Sequence, residues 1–185
     1  MASAAARAAA GARFCYLPRM LELLLVRHAI AVERDAMSNE DERALSDRGR
    51  QRFATIAGTL ALLVPDLGRI ATSPLRRARE TAEILAAACV EAPRRSSLDV
   101  LRPGGSPLDV LRELRAVEGA GTLAVIGHEP DLSLLASYLL SGSEHPFLRF
   151  KKGGAALLDL PRGLRGAGAS LEWLLTPSQL RALAP

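Results

Sequence analysis

Residues 21–28, LELLLVRH, decide the fold of this chain. The run is almost continuously apolar, and this pattern is typical of a strand that is buried on both faces of a parallel sheet. The strand is predicted to end at Arg27 and His28. Because open α/β sheets gather their functional groups beyond the carboxyl ends of the strands, these two residues are the first candidates for a site.

Two strand–helix units follow this first strand. Residues 46–64, SDRGRQRFATIAGTLALLV, have apolar positions near helical spacing after a serine start signal, and Pro65 closes the predicted helix. GRIATS (68–73) is predicted to be the second strand. After Pro74, LRRARETAEILAAA (75–88) is rich in strong helix formers and is predicted to be the second helix.

The middle of the chain continues the alternation. The sequence predicts a third strand around Leu98–Leu101, a turn at PGGS (103–106), a helix over 107–119, a strand at TLAVIGH (122–128) and a helix from Pro130 through Leu140.

The last third changes its pattern. GAALLDL (154–160) and SLEWLLT (170–176) are strand-like and are separated only by the glycine-rich PRGLRGAGA, which favours a hairpin or loop. We therefore predict an α/β fold, a single domain with a mixed, mostly parallel sheet and helices on both faces.

Residues 1–19 are rich in alanine and arginine and contain no acidic side chain. A transit peptide, a signal peptide and a mis-called start before Met20 would each account for this segment. We expect a non-structural extension over 1–19 and one domain over 20–185.

Composition narrows the class of function. Hydrophobic residues make up 49% and charged residues 24%, which are ordinary globular values. The net charge of +4 is scattered and only 4% of residues are aromatic, so we expect no nucleic-acid partner. We expect no membrane span, because no apolar run reaches ~18–20 residues. Two widely spaced cysteines, Cys15 and Cys89, favour the cytoplasm.

Chemistry-bearing residues collect at the predicted strand ends. Arg27 and His28 end the first strand, Thr72 to Arg77 follow the second, and His128 and Glu129 end the fourth, with Asp99 and Arg102 in a nearby loop. Arginine forks neutralise phosphate oxygens and an imidazole can attack phosphorus. The set therefore indicates phosphoryl transfer.

Four ordered blocks carry a family resemblance. VRHAIA (26–31), ALSDRGRQ (44–51), TSPLRRARETAEIL (72–85) and VIGHEPDLS (125–133) resemble the motifs of the histidine phosphatase superfamily, in the form of its SixA-type branch. The similarity covers roughly Met20 to Pro177, and it implies a phosphoglycerate mutase-like fold.

The resemblance also implies residue roles. His28 becomes the nucleophile, Arg27 and Arg77 become phosphate ligands, and His128 becomes the second histidine of the pocket. Arg43, directly before Ala-Leu-Ser, becomes a further candidate for phosphate contact, with a solvated charge at a helix entry as the alternative.

The general acid stays open. The loop SSLDVLRPGG (96–105) contains Asp99 but no glutamate where mutase-like relatives supply one, whereas Glu129 follows His128 at the position of the phytase-like carboxylate. Glu129 could instead favour a helix dipole. Because imidazole leaves readily, a missing acid favours a phosphohistidine substrate.

We therefore predict a metal-independent phosphatase that needs no cofactor and acts on a phosphorylated protein or a small phosphorylated substrate. A small-molecule phosphomonoesterase and a non-catalytic phospho-ligand binder are the alternatives. A metal site built from His28, His128, Asp99 and Glu129 is disfavoured because the nearby arginines would repel a cation. The sequence carries no signal for an oligomeric state.

Overall fold

The computed structural model describes residues 21–34, 39–117 and 121–185, so the extension predicted at 1–19 lies outside the described residues. Strands and helices alternate through most of this range. In chain order they are β1 Leu21–Arg27, α1 Asp47–Leu63, β2 Leu67–Thr72, α2 Arg76–Ala88, β3 Arg94–Ser97, α3 Pro107–Val117, β4 Thr122–Gly127, α4 Asp131–Ser141, β5 Ala155–Leu160, β6 Ser170–Leu175 and α5 Pro177–Ala182.

The six strands form one mixed sheet in the order β3-β2-β4-β1-β5-β6. The first four strands of this order run parallel, and β5 and β6 continue the sheet antiparallel. The strand that carries Arg27 therefore lies in the middle of the sheet. The predicted mixed sheet and the hairpin-like pairing of the last two strands are confirmed.

Both faces of the sheet are covered. Alternate residues of β1 point to opposite sides: Leu24 and Val26 join the core formed with α1, α2 and α5, and Leu23 and Leu25 join the core formed with α3 and α4. All four side chains are fully buried, and this explains the continuous apolar run that begins the domain.

Helix α1 begins at a serine cap and lies against the chain that follows β1. The Ser46 side chain accepts a hydrogen bond from Gly49 N, and Ser46 N donates to Ile30 O at 3.0 Å. Gly49 faces the same carbonyl, and a Cβ atom at this position would collide with it. Only glycine fits between α1 and this turn.

The prediction of a third strand at Leu98–Leu101 was wrong. The strand is Arg94–Ser97, and Asp99–Leu101 form a short 3₁₀ helix. Strand β3 lies at the sheet edge with mostly exposed residues, so it has no apolar pattern, whereas Leu101 is buried from within the 3₁₀ turn. The sequence also did not predict α5 or the 3₁₀ helix Glu40–Glu42.

Across the described ranges, no helix is both long and apolar enough to cross a membrane.

Candidate active site

The backbone at the end of β1 is fixed from both sides. His28 N donates to Gly127 O of β4 at 3.1 Å, and Arg27 N donates to Gly154 O at 3.1 Å. Gly153 N donates to the carbonyl oxygens of both Arg27 and His28, at 3.0 and 3.2 Å. These bonds hold the two residues in place relative to the neighbouring strands.

The hydrogen bond of the His28 ring defines its tautomer. Nδ1 lies 2.8 Å from Ala29 O, and since a carbonyl oxygen can only accept, the proton is on Nδ1. Ala29 is itself held by a hydrogen bond from its N–H to Thr81 Oγ1 of α2. The Nε2 atom of His28 therefore carries a lone pair and has no hydrogen-bond partner among the described residues.

The surroundings of His28 keep its ring neutral. The side chain is only 4% exposed. Burial, and after it repulsion from His128, Arg77 and Arg27, lower the pKa of His28 to about 2 against the opposing effect of the bond to Ala29. A neutral ring with a free Nε2 is the form in which a histidine acts as a nucleophile.

His128 lies against His28, with ring centroids 5.0 Å apart. Its Nε2 is 2.8 Å from the Ser73 hydroxyl, which also accepts a hydrogen bond from Leu75 N. The Ser73 proton has no other acceptor among the described residues, so we assign Nε2 as the acceptor and Nδ1 as the protonated nitrogen. Burial, followed by repulsion from Arg77 and Arg27, lowers the pKa of His128 to about 3.

Arg27 and Arg77 are anchored in the same way. Arg27 Nη1 donates to Phe150 O at 2.8 Å, and Arg77 Nη1 donates to Glu40 O at 2.9 Å. Each arginine is therefore held through one terminal nitrogen by a backbone carbonyl. Burial is the largest cause that lowers the pKa of both guanidinium groups, which nevertheless stay protonated in proteins.

Several nitrogen atoms of these residues have no hydrogen-bond partner among the described residues. Within the described residues, four buried side-chain atoms lack a hydrogen-bond partner, and three of them are Arg27 Nε, Arg77 Nε and His128 Nδ1. Buried polar atoms are nearly always paired in folded proteins, because leaving them unpaired costs free energy. Three such N–H groups beside a neutral histidine make a site for an anion that brings several acceptor oxygens.

A cluster of ion pairs lies beside Arg77. Glu40 Oε1 accepts from Arg43 Nη2 at 2.9 Å and lies 3.2 Å from Arg77 Nη1, and Arg34 Nε donates to its other oxygen. Burial raises the pKa of Glu40, but the hydrogen bonds from Arg43 and Arg34 and the attraction of Arg77 outweigh it and lower the pKa. Arg43 thus reaches Arg77 through Glu40.

The two carboxylates predicted as acids are bonded to groups other than the histidine pair. Glu129 accepts hydrogen bonds from Phe150 N and from the Ser133 hydroxyl, each at 2.7 Å. It thereby orders the segment whose carbonyl anchors Arg27. The Asp99 side chain is 87% exposed and pairs with Arg102. Neither carboxylate makes a hydrogen bond to His28 or His128.

A family model described as histidine phosphatase superfamily (branch 1) matches residues 23–98. An uncharacterized protein of Picosynechococcus sp. is 36% identical over 154 residues, covering 82% of this chain and 89% of the relative. The chain belongs to the histidine phosphatase superfamily. An uncharacterized protein of Mycobacterium tuberculosis is 33% identical over 117 residues, covering 63% of this histidine phosphatase and 70% of the relative.

Solved structures share its fold. The protein histidine phosphatase SixA complexed with tungstate superimposes with a TM-score of 0.74 at 24% identity, covering 86% of this chain and 99% of that one. A mycobacterial glucosyl-3-phosphoglycerate phosphatase superimposes with a TM-score of 0.59 at 19% identity, covering 83% and 98%. The expected phosphoglycerate mutase-like fold and the expected class, a phosphatase with a histidine nucleophile, are confirmed.

Sequence reasoning missed two contributors to the pocket of this histidine phosphatase. Ser73 was read only as part of a motif, and Glu40 was not singled out among the acidic residues of NEDER (39–43). The position of Arg43 before the Ala-Leu-Ser block was the one signal that pointed to the Glu40 cluster. Within the described ranges, no three His, Cys, Asp or Glu side chains are arranged as metal ligands.

Proposed function

We propose that this protein is a metal-independent phosphohydrolase that forms a covalent phosphohistidine on His28. The observation that carries the proposal is the neutral His28 ring with a free Nε2 beside three unpartnered N–H groups, those of Arg27, Arg77 and His128. A phosphoryl group brings three equatorial oxygens, and three donors of this kind would bind them.

The chemistry runs in two steps. The Nε2 lone pair of His28 attacks phosphorus and the new N–P bond forms. The bond from phosphorus to the leaving group breaks and its electron pair goes to the leaving group, so an imidazole that already carries a proton on its other nitrogen departs as a neutral ring. Water then attacks the phosphohistidine, the N–P bond breaks and its electron pair returns to Nε2, and phosphate departs with both protons of the water while neutral His28 returns. The arginines and His128 stabilise the charge that spreads over the equatorial oxygens in both steps.

We further propose that the substrate is a phosphohistidine, a phosphoramidate whose leaving group is an imidazole. Glu129 and Asp99 are each engaged away from the histidine pair, and Glu40 has a lowered pKa that makes it a poor proton donor. An alkoxide leaving group needs a proton in the transition state, whereas imidazole leaves more readily. A phosphorylated protein is therefore the partner that fits this site best, and the cytoplasm stays the predicted compartment.

Trapping the intermediate tests the nucleophile. Wild-type protein quenched in alkali during turnover should carry base-stable, acid-labile phosphate on His28, and His28→Ala should carry none. Incubation with a chelator should leave the rate unchanged, and vanadate should inhibit. Full turnover by His28→Ala would overturn the proposal.

A series of leaving groups tests the substrate class. Rates should fall steeply from phosphohistidine and nitrophenyl phosphate to alkyl phosphates. If Glu129 or Asp99 acts as an acid after all, Glu129→Gln or Asp99→Asn should lose the alkyl phosphates selectively. Wild-type rates on alkyl phosphates that equal those on phosphohistidine would contradict the phosphohistidine assignment and favour a small-molecule phosphomonoesterase.

A further inference from the structure

A cavity lies beside the chain neighbours of the nucleophile, and apart from Arg27 its lining residues play no part in the two steps above. It has a volume of about 630 Å³ and is bounded by α1, by the start of α5 and by the segment that precedes β5. Arg27 and Ala29, the chain neighbours of His28, both line it. Arg27 therefore belongs both to the phosphoryl site and to this cavity.

Cationic side chains surround this cavity. Six of its described lining residues are basic, and none is acidic: Arg27, Arg52, Arg149, Lys151, Lys152 and Arg181. Arg52 lies on α1, Arg181 lies on α5, and three others come from the segment before β5. The cavity thus collects positive charge from separate parts of the chain.

Most of these charges lack an ion-pair partner in the part of the chain that the structure describes. Among the described residues, no ion pair forms with Arg52, Arg149, Lys151, Lys152 or Arg181, whereas the arginines around Glu40 and Glu80 are paired. Repulsion from Arg48, followed by burial and by Arg181, lowers the pKa of Arg52. Partial desolvation of the ammonium group, followed by repulsion from Arg27, Arg43 and Arg77, lowers the pKa of Lys152, although the residue as a whole is exposed. The positive charges of this cavity therefore repel one another, and a bound anion would relieve this repulsion.

The most accessible groups of this cavity are basic. Phe53 and Ile56 of α1 also line it, but their side chains are almost fully buried. The basic groups before β5, Arg149, Lys151 and Lys152, are exposed. An anion held by these side chains would stay in contact with water, as the carboxylates of a docked protein do. A small dianion would engage only some of the basic side chains that line the cavity.

We infer that this cavity binds a carboxylate-rich segment that flanks the phosphohistidine of a substrate protein. The inference rests on the proposed phosphohistidine hydrolysis, and it adds the sequence context that the enzyme would select. The acidic side chains of the segment would pair with the basic side chains that line the cavity.

Two matched peptides test the inference. One carries phosphohistidine flanked by glutamates and the other carries it flanked by glutamines, and free phosphohistidine serves as the substrate without a flank. Wild-type kcat/KM should favour the glutamate peptide by about tenfold, which two or three exposed ion pairs together provide. Because such pairs are screened by salt, the preference should shrink at high ionic strength.

Variants locate the preference. In Arg52→Gln/Arg181→Gln the ratio of kcat/KM for the two peptides should fall below about threefold, since two positive charges of the cavity are gone. Arg94→Gln/Arg95→Gln removes two exposed charges from β3, outside the cavity, and should keep the wild-type ratio. A third arm of the experiment uses a small phosphorylated compound with and without a carboxylate group.

The outcomes are separable. Equal rates on the two peptides, or a preference that survives in Arg52→Gln/Arg181→Gln, would overturn the inference while turnover of free phosphohistidine leaves the proposed function standing. If the carboxylate raises the kcat/KM of the small compound as much as the glutamates raise that of the peptide, the inference is also overturned, since the ligand would then be a small molecule. Failure on all three phosphohistidine substrates would instead overturn the proposed function.

Discussion

Arg27 and Arg77, the arginines beside the nucleophile, each have one nitrogen that is hydrogen-bonded within the protein and another that has no partner among the described residues. Arg27 and Arg77 both give Nη1 to a backbone carbonyl, and both leave a buried Nε without a partner. A guanidinium group held at one end loses little side-chain entropy when an anion binds to the other end. The arginines are therefore prepared for the phosphoryl group before it arrives.

Replacing each of two neighbouring arginines on α2 by alanine tests this arrangement. Arg77→Ala should lower kcat by roughly 100-fold or more, as the loss of an oxyanion-type donor does. Arg76→Ala should have a much smaller effect, because the Arg76 side chain is 45% exposed and pairs with Glu80. Steady-state kinetics on phosphohistidine would measure both, and equal losses would show that Arg77 is not the phosphate ligand.

Two glutamates of the 3₁₀ helix Glu40–Glu42 provide a second test, that of whether Glu40 positions the arginines. We expect Glu40→Ala to lower kcat/KM by about tenfold, a loss typical when a partner that orients a charged group is removed. Glu42→Ala, which removes a half-exposed carboxylate that reaches only Arg79 at 3.5 Å, should keep the wild-type value. Indistinguishable kinetics for the two variants would mean that Glu40 does not position Arg43 and Arg77.

Much of the pocket could be predicted from the sequence, and the reason is local. Arg27 ends β1, His28 and His128 directly follow β1 and β4, and Arg77 lies in the first turn of α2 after β2. The carboxyl ends of these strands meet at one edge, and the structure brings the four residues together. Their roles in catalysis stay predictions. Ser73 also lies at a strand end, but its role depends on the hydrogen bond to His128 after β4, which the sequence does not show. Glu40 could not be found in this way, because its contact with Arg77 forms only when the loop after β1 folds against the start of α2.

At the level of elements, the position of helix α1 depends on Gly49, a residue that has no side chain. Gly49 packs against the carbonyl of Ile30, two residues beyond His28, and Ser46 donates to the same oxygen. The turn after the nucleophile and the start of α1 are thus one packed unit.

Two glycines of α1 provide a matched pair. Gly49→Ala should lower the free energy of unfolding by ~1–3 kcal/mol, as overpacking does. Gly58→Ala, whose Cβ would meet no atom within 4 Å, should raise it by roughly 0.5–1 kcal/mol through helix propensity. Urea denaturation measures both changes, and a stable Gly49→Ala protein would refute the close approach to Ile30.

Elements were predictable where burial imposes a pattern. Strands β1 and β4 are buried along their length apart from the ends of β1, so their apolar runs are unmistakable. Strand β3, with the sequence RRSS, lies at an edge where only its backbone pairs, and its side chains carry no signal. The short α5 depends on packing of Leu180 and on the capping box of Thr176 and Gln179, and a sequence pattern of six residues is too short to predict it.

For the whole molecule, two buried neutral histidines link stability to pH. In the unfolded chain a histidine binds a proton near pH 6.5, whereas the folded pKa values of His28 and His128 are about 2 and about 3. Below pH 6.5 the unfolded state therefore binds more protons than the native state, and the free energy of unfolding falls as the pH falls.

Denaturation between pH 6.5 and pH 5 should reveal this linkage. Each histidine contributes a slope that approaches roughly 1.4 kcal/mol per pH unit at the acid end of the range. The carboxylates with lowered pKa values, Glu40 and Glu80, add the same sign mainly below pH 4.5, outside this window. The variant His28→Asn/His128→Asn should show a much shallower slope, whatever its stability at pH 7, and an unchanged slope would exclude the two histidines as the cause.

The position of β1 in the sheet also bears on how the protein is made. This strand precedes its partners β4 and β5 in the chain, and Gly153 and Gly154 form hydrogen bonds with Arg27 and His28. A nascent chain therefore carries His28 before it can hold the ring in place. A chain that terminates before residue 153 would contain His28, His128, Arg27 and Arg77 and still lack these contacts, so catalytic competence is acquired only once residues 153 and 154 have been synthesised and folded.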